Sequence, residues 1–303
     1  MKTMITKSGF WVCLFQMPSL SNASGFVKDP GQSYTKWSYS SSSARDLSST
    51  DDAVKIREKT DSGDFYTEIG VPFLIPAQVS LFGQVKRVVR QSVLNRDSFA
   101  SQSFADSKVL SKFGLFKDTF LPDSFPVFTS LSVTLGSKLP TTPSKYRSGK
   151  ETRRGKDLSP EKRNLVAPVD AGTWGFVTGM GLSLAASGVW VSLAHNGMTA
   201  QKQVRETQNS VQLGVGLPGN SWIQTSYEVQ TSGKSKPFNR IFTEGDGDLL
   251  HPLTRSEVFG IGLGLTFWQG VAFEAAAQRL VPRFGKTGGS YSQYTFGFSK
   301  RDI

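Results

Sequence analysis

The chain has 303 residues, 38% of them hydrophobic, with 30 Gly, 22 Phe, 7 Tyr and 6 Trp. That mix suits neither a disordered chain nor a helical membrane protein, and no largely apolar run of about 20 residues is present to span a bilayer as a helix. The net charge of +11 fits nucleic acid, an anionic membrane or plain solvation, so its distribution decides more than its size.

The first element read along the chain is an export signal. Lys2 and Lys7 give a basic start, Phe10 to Phe15 an apolar core, and Ser21-Asn22-Ala23 the small residues a signal peptidase reads. Cleavage is expected after Ala23, leaving 24–303 as a single domain. The alternative is a frayed N-terminal strand. Cys13 is the only cysteine and sits in that signal, so the mature chain has neither thiol nor disulfide. No Leu-Ala-Gly run precedes Cys13, and no lipid anchor is expected.

Beyond the signal, hydrophobic residues recur with period two. Phe259, Ile261, Leu263, Leu265 and Phe267 alternate with Gly260, Gly262, Gly264 and Thr266. A strand puts these two sets on opposite faces, whereas a helix scatters them. The same alternation runs through Trp174–Leu184, Val211–Leu217, Phe125–Leu135, Ile223–Val229 and Tyr294–Phe298. It predicts twelve strands, at 33–41, 62–70, 76–90, 104–116, 124–137, 169–184, 189–197, 209–217, 221–231, 256–267, 271–280 and 290–299.

The predicted connections alternate long and short. The long ones are 42–61, 91–103, 138–168, 198–208, 232–255 and 281–289; the short ones are 71–75, 117–123, 185–188, 218–220 and 268–270. A membrane barrel keeps that beat, because its periplasmic turns are short and its outer loops longer. The fold class expected is therefore all-β, an up-and-down antiparallel transmembrane barrel of about twelve strands. A soluble barrel or sandwich is the competing architecture. Two details oppose it. The non-apolar face is rich in Gly and Ser but poor in Lys and Glu. Aromatic residues (Phe125, Phe128, Phe267, Trp268, Phe273, Phe296 and Phe298) collect near the short-turn ends, like a girdle at a membrane interface.

Several stretches resemble a known family. Asp29-Pro-Gly-Gln-Ser-Tyr-Thr-Lys-Trp-Ser-Tyr, Phe65-Tyr-Thr-Glu-Ile-Gly-Val, Leu135-Gly-Ser-Lys-Leu-Pro-Thr-Thr and the closing Tyr294-Thr-Phe-Gly-Phe are similar to segments of transporter-like outer-membrane barrels. Some members of that family are associated with the phenol meta-cleavage pathway. The resemblance implies a Gram-negative, porin-like transport barrel that meets the barrel assembly machinery through its last strand. Phe298 is not the terminal residue, and Gln293 stands where a Gly is usual. The association names no solute.

Strand parity sends Gln78, Ser80, Gln84, Lys86 and Arg90 inward, with Lys108 and Lys112, Trp222, Gln224, Ser226 and Glu228, and Glu274 and Gln278. These residues line either a selective passage for a small solute or a plugged interior in which Lys and Glu pair across the lumen. The many inward glycines favour an opening. The basic loop 138–163, with Lys138, Lys145, Arg147, Lys150, Arg153, Arg154 and Lys156, falls outside the cell in this architecture. There it is a solvated loop or a partner for lipopolysaccharide phosphates beside the membrane lipid. Beyond Tyr146 it lacks the interleaved aromatics that nucleic acid favours. Catalysis of the lipid-hydrolase kind needs a Ser–His arrangement. His195 and Ser192 fall on opposite faces, so no enzyme and no catalytic residue is expected. Glu244-Gly-Asp246-Gly-Asp248 matches a calcium loop only at its start, and no cofactor or metal is expected.

Overall fold

The computed structural model describes residues 26–48, 55–92, 97–120, 127–143, 169–170, 172–200, 205–232, 255–284 and 291–302. The expected signal peptide, the loop residues Lys145, Arg147, Lys150, Arg153, Arg154 and Lys156, and the acidic turn at 244–248 lie outside these residues.

The strands are β1 (Ser33–Ser48), β2 (Lys55–Val71), β3 (Ala77–Ser92), β4 (Ser98–Phe104), β5 (Ser107–Phe120), β6 (Val127–Leu139), β7 (Gly175–Ala186), β8 (Val189–Ala200), β9 (Arg205–Leu217), β10 (Ser221–Ser232), β11 (Arg255–Trp268), β12 (Val271–Phe284) and β13 (Tyr291–Asp302). All pair antiparallel in one sheet, and β1 meets β13 from Ser33↔Asp302 to Ala44↔Tyr291, which closes the ring. Closure matters because a strand left unpaired in hydrocarbon would expose its backbone polar groups. β4 and β5 both lie against β3, opposite Val85–Gln91 and Ala77–Phe82. They are two halves of one stave, so the barrel has twelve, as the periodicity predicted.

The pleat sorts the side chains as the alternation required. Phe259, Ile261, Leu265, Phe267, Leu213, Val215, Phe176, Met180, Phe296 and Phe298 are exposed on the outer wall. Ser130, Ser132, Ser183, Ser192, Gln212, Gln224 and Thr295 are buried on the inner one. This is inverted relative to a water-soluble barrel, whose large apolar residues fill the interior.

The short connections sit at one end. Ser187-Gly188 and Gln269-Gly270 all have positive φ, the backbone that two-residue hairpin turns of the primed type need. The start of β1 and the end of β13 share that rim.

Three expectations are corrected. Strands β1 and β2 run well past 41 and start well before 62, and β4 fills part of the loop expected at 91–103. Those extensions are polar, and a strand rising above the bilayer needs no apolar face, so hydrophobic alternation could not mark them. Phe128 is not part of the aromatic girdle. It points inward and packs against the cluster that holds Trp190 and Trp222, as the parity of Val127, Thr129 and Leu131 already demanded. Finally, Lys138 is no loop residue: it is the penultimate residue of β6 and is buried.

Candidate functional site: the barrel lumen

The inner wall is unequal around its circumference. Strands β1–β5 and β12 carry most of its charges. Strands β6–β11 carry mainly Ser, Thr, Asn, Gln and Gly, with Lys138, Glu228 and Glu257 as buried charged exceptions.

At the short-turn end, Lys36 of β1 meets Glu274 of β12 at 2.7 Å, with both side chains almost wholly out of solvent. The Tyr34 hydroxyl donates to the same carboxylate at 2.8 Å and the Ser299 hydroxyl at 2.6 Å. A buried ion pair holds only if its remaining lone pairs are satisfied, and these two hydroxyls supply that. One stave further round, Tyr66 donates to Glu68. The Lys28 ammonium lies 3.5 Å from Glu68 and over the Tyr34 ring, 5.4 Å from its centroid. Burial lowers the pKa of Lys28 from its ordinary 10.5, with Glu68 acting in the opposite direction.

Facing this charged cluster is an apolar one. Trp190 and Trp222 reach inward and pack with Ala185, Ala276, Phe128 and Phe26. The neighbouring glycines make room for the indoles. A Cβ on Gly214 would fall within the Trp190 ring, and one on Gly264 within the Trp222 ring. Inward glycine was read as a sign of open space. At these two positions the space is filled by the next strand's tryptophan, which corrects that inference.

Nearer the long-loop end the chain breaks between β4 and β5, and Asp106 turns inward at the break. It accepts from the backbone N–H of Gly172 at 2.8 Å and of Thr142 at 3.2 Å, and pairs with Lys138 at 3.0 Å. Lys138 also pairs with Asp170 at 2.9 Å, and Lys86 lies 3.9 Å from the same residue. This cluster ties both ends of the long β6–β7 connection to the wall. Beside it, Arg90 pairs with Glu58 at 2.7 Å and Gln84 donates to Asp64. A cavity of about 290 Å³ opens here, lined by Ser40, Ser42, Glu58, Thr60, Ser62, Gln84, Lys86 and Gln293.

The inward residues read from the sequence therefore fall at different levels of the lumen. Gln78, Lys112, Trp222 and Glu274 belong to the filled short-turn end. Gln84, Lys86 and Arg90 belong to the outer cavity and its rim. Lys108 lies on β5 beside the Lys138 cluster, and Gln224, Glu228 and Gln278 lie on the β10–β12 wall. Glu228 accepts from Gln230. Gln224 is fully buried, and neither end of its amide has a hydrogen-bond partner among the described residues. The sequence reading missed Lys28, Lys36, Glu68, Asp106, Asp170 and Trp190. Lys36 was within reach, since Trp37 and Tyr39 face outward on either side of Ser38 and fix the parity of β1. The Asp106–Asp170 meeting was not, because 64 residues separate the two.

On the outer wall, His195 Nδ1 lies 2.7 Å from Asn209 Oδ1. Ser192 is inside, hydrogen-bonded to Ser183 at 2.8 Å. The strand separates them.

An apolar outer wall around a polar interior, in a ring of strands that closes on itself, is the architecture of outer-membrane β-barrels. No family model matches the chain, and no curated protein sequence does. Solved structures do match. An outer-membrane channel from Pseudomonas putida F1 superposes with a TM-score of 0.59 at 9% identity, covering 91% of this chain and 98% of that one. The transport unit of the autotransporter AIDA-I from Escherichia coli gives 0.51 at 8% identity, covering 93% and 95%. At such identities the likeness carries the fold alone.

Proposed function

We propose that this protein is an outer-membrane channel that passes small polar solutes through its lumen. The observation that carries the reading is the inside-out sorting of the side chains. Large apolar residues face outward all round the ring, while ion pairs, amides and hydroxyls line an interior that opens into a polar cavity of about 290 Å³. Charges of both signs stand along the lumen, so net ion preference is set locally by clusters such as Lys86, Lys138, Asp106 and Asp170. Export through residues 1–23 and assembly through the closing strand Tyr294–Phe298 complete the proposal. The basic loop containing Lys145–Lys156 is proposed to meet lipopolysaccharide phosphates at the outer leaflet.

The test is conductance of the purified, folded protein in planar bilayers, with solute entry into liposomes as a second readout. Discrete current steps and entry of small sugars or amino acids are expected. Silence in both assays sinks the reading. A second reading, a closed barrel acting through its outer loops, is favoured by one observation: the short-turn half of the lumen is filled by Trp190, Trp222, Phe128 and the Lys36–Glu274 pair. It predicts that silence, together with partner binding that is lost when the loops are trimmed.

A further inference from the structure

The outer wall changes character near the long-loop end. Tyr39 of β1 and Tyr294 of β13 mark the change, exposed on the wall beside Phe296 in the manner of an interfacial aromatic belt. The Tyr39 hydroxyl donates at 2.8 Å to Asp61, one row nearer the long loops. Asp61 lies ten residues from Val71, the short-turn end of β2. At about 3.3 Å per residue and a tilt of about 40°, that is roughly 25 Å of height, the extent of the apolar band in such barrels. From this level upward the arc β12–β13–β1–β2–β3 is basic. Arg57, Lys59, Arg87 and Arg279 are exposed there, on the parity of the outward apolar residues below them. Among the described residues of that arc and level, the outward acid is Asp61. It is already held by Tyr39, by Ser41 at 2.7 Å and by Lys59 at 3.3 Å. Neither Arg87 nor Arg279 makes an ion pair among the described residues. A surface that meets only water intersperses both signs.

Strand register sets these cations in a frame. One row across the wall reads Lys59, Ser43, Ser292, Arg279. Three strand spacings separate the two cations at the backbone, roughly 14 Å at about 4.8 Å each. The floor between them is two small hydroxyl side chains. The row beneath reads Arg87, Asp61, Ser41, Tyr294. Below that the face is apolar, with the Trp37 and Phe65 rings 4.5 Å apart and Phe298 beside Trp37. Arg and Lys pair with phosphate, and hydroxyls donate to it. At this height the phosphates within reach belong to lipid headgroups, whose chains lie along the aromatic wall. Two cations at opposite ends of a hydroxyl floor suit a headgroup with two phosphates on a sugar body. A single phosphodiester would reach one of them.

We propose that this face binds a phosphorylated glycolipid of the outer leaflet, with Lys59 and Arg279 holding phosphates at the two ends of the Ser43–Ser292 floor and Arg87 steadying the headgroup from the row beneath. The site needs the barrel in its membrane and not an open lumen, so it stands or falls apart from the channel reading. It is also separate from the contact proposed for the loop Lys145–Lys156.

The test is native mass spectrometry of the folded full chain in neutral detergent, titrated with bisphosphorylated lipid A. Wild type is expected to retain the lipid and to bind it about tenfold tighter than Lys59→Gln or Arg279→Gln does, the weight of one charge-assisted contact. Lys300→Gln, at the opposite rim, is expected to bind like wild type. Wild type is also expected to lose most of its affinity for lipid A stripped of both phosphates, an arm that needs no variant to fold. Equal binding by the two site variants, or by the stripped lipid, overturns the proposal. So does a loss of binding seen only when 145–156 is cut from the loop. Phosphatidylglycerol held as tightly as lipid A, or inorganic phosphate displacing the lipid outright, shows a general anion patch and overturns the glycolipid. A chain that binds lipid A as expected and passes no current keeps this site and loses the channel.

Discussion

Gly264 and Gly214 show how much of this lumen is set by single residues. Each lies beside an indole that occupies the volume of the missing side chain. Neither has positive φ, so alanine is barred by the neighbouring ring and not by the backbone. Forcing a methyl into filled space costs about 1–3 kcal/mol. Gly264→Ala or Gly214→Ala should lower the unfolding free energy in detergent by that amount, whereas Gly83→Ala, whose Cβ meets nothing, should not. The Lys36–Glu274 pair is a second residue-scale determinant. Removing one partner leaves a buried charge facing only hydroxyls, and Lys36→Met should destabilise the barrel by about 3–5 kcal/mol. The double variant Lys36→Met with Glu274→Gln should recover most of that loss in the same unfolding experiment. If the double variant is as unstable as the single, the pair is not what the site needs.

Single strands reveal where the sequence was legible and where it was not. On β7, β9, β10 and β11 the alternation is complete, and lumen and lipid faces could be assigned from the residue order alone. Lipid demands bulk at every second position there. Above the apolar band that demand lapses, which is why Ser42–Ser48 and Lys55–Asp61 read as loop and yet pair. The division of β4 from β5 was equally silent. It depends on Asp106, whose carboxylate gathers N–H groups from the two ends of a connection far away in sequence. Asp106→Ala should therefore loosen the base of the β6–β7 connection without opening the ring. Limited proteolysis should cut that connection faster, while heat-modifiable mobility stays unchanged. Loss of the folded band would mean that Asp106 holds the whole stave in place.

The whole molecule is governed by what a bilayer cannot tolerate. A sheet of this size with apolar residues on its outer surface is soluble nowhere else, and its interior is polar because the exterior has taken the large hydrophobes. Positive charge is not the organising feature that the bulk value of +11 suggested. Among the described residues four of the inward lysines, 28, 36, 86 and 138, each lie within 4 Å of an acid.

The seam between β1 and β13 has one more consequence. Ser33 stands beside Asp302, so the first strand and the last are neighbours in space, and the ring itself has no first stave. A gene rearranged to join those two strands through a short linker, and reopened at Ser187-Gly188, would encode the same set of strand pairs in a different order. Such a permutant should reach the outer membrane and migrate as a folded barrel. If it does not, the order in which staves emerge, and not the pairs they finally make, governs how this cylinder is built.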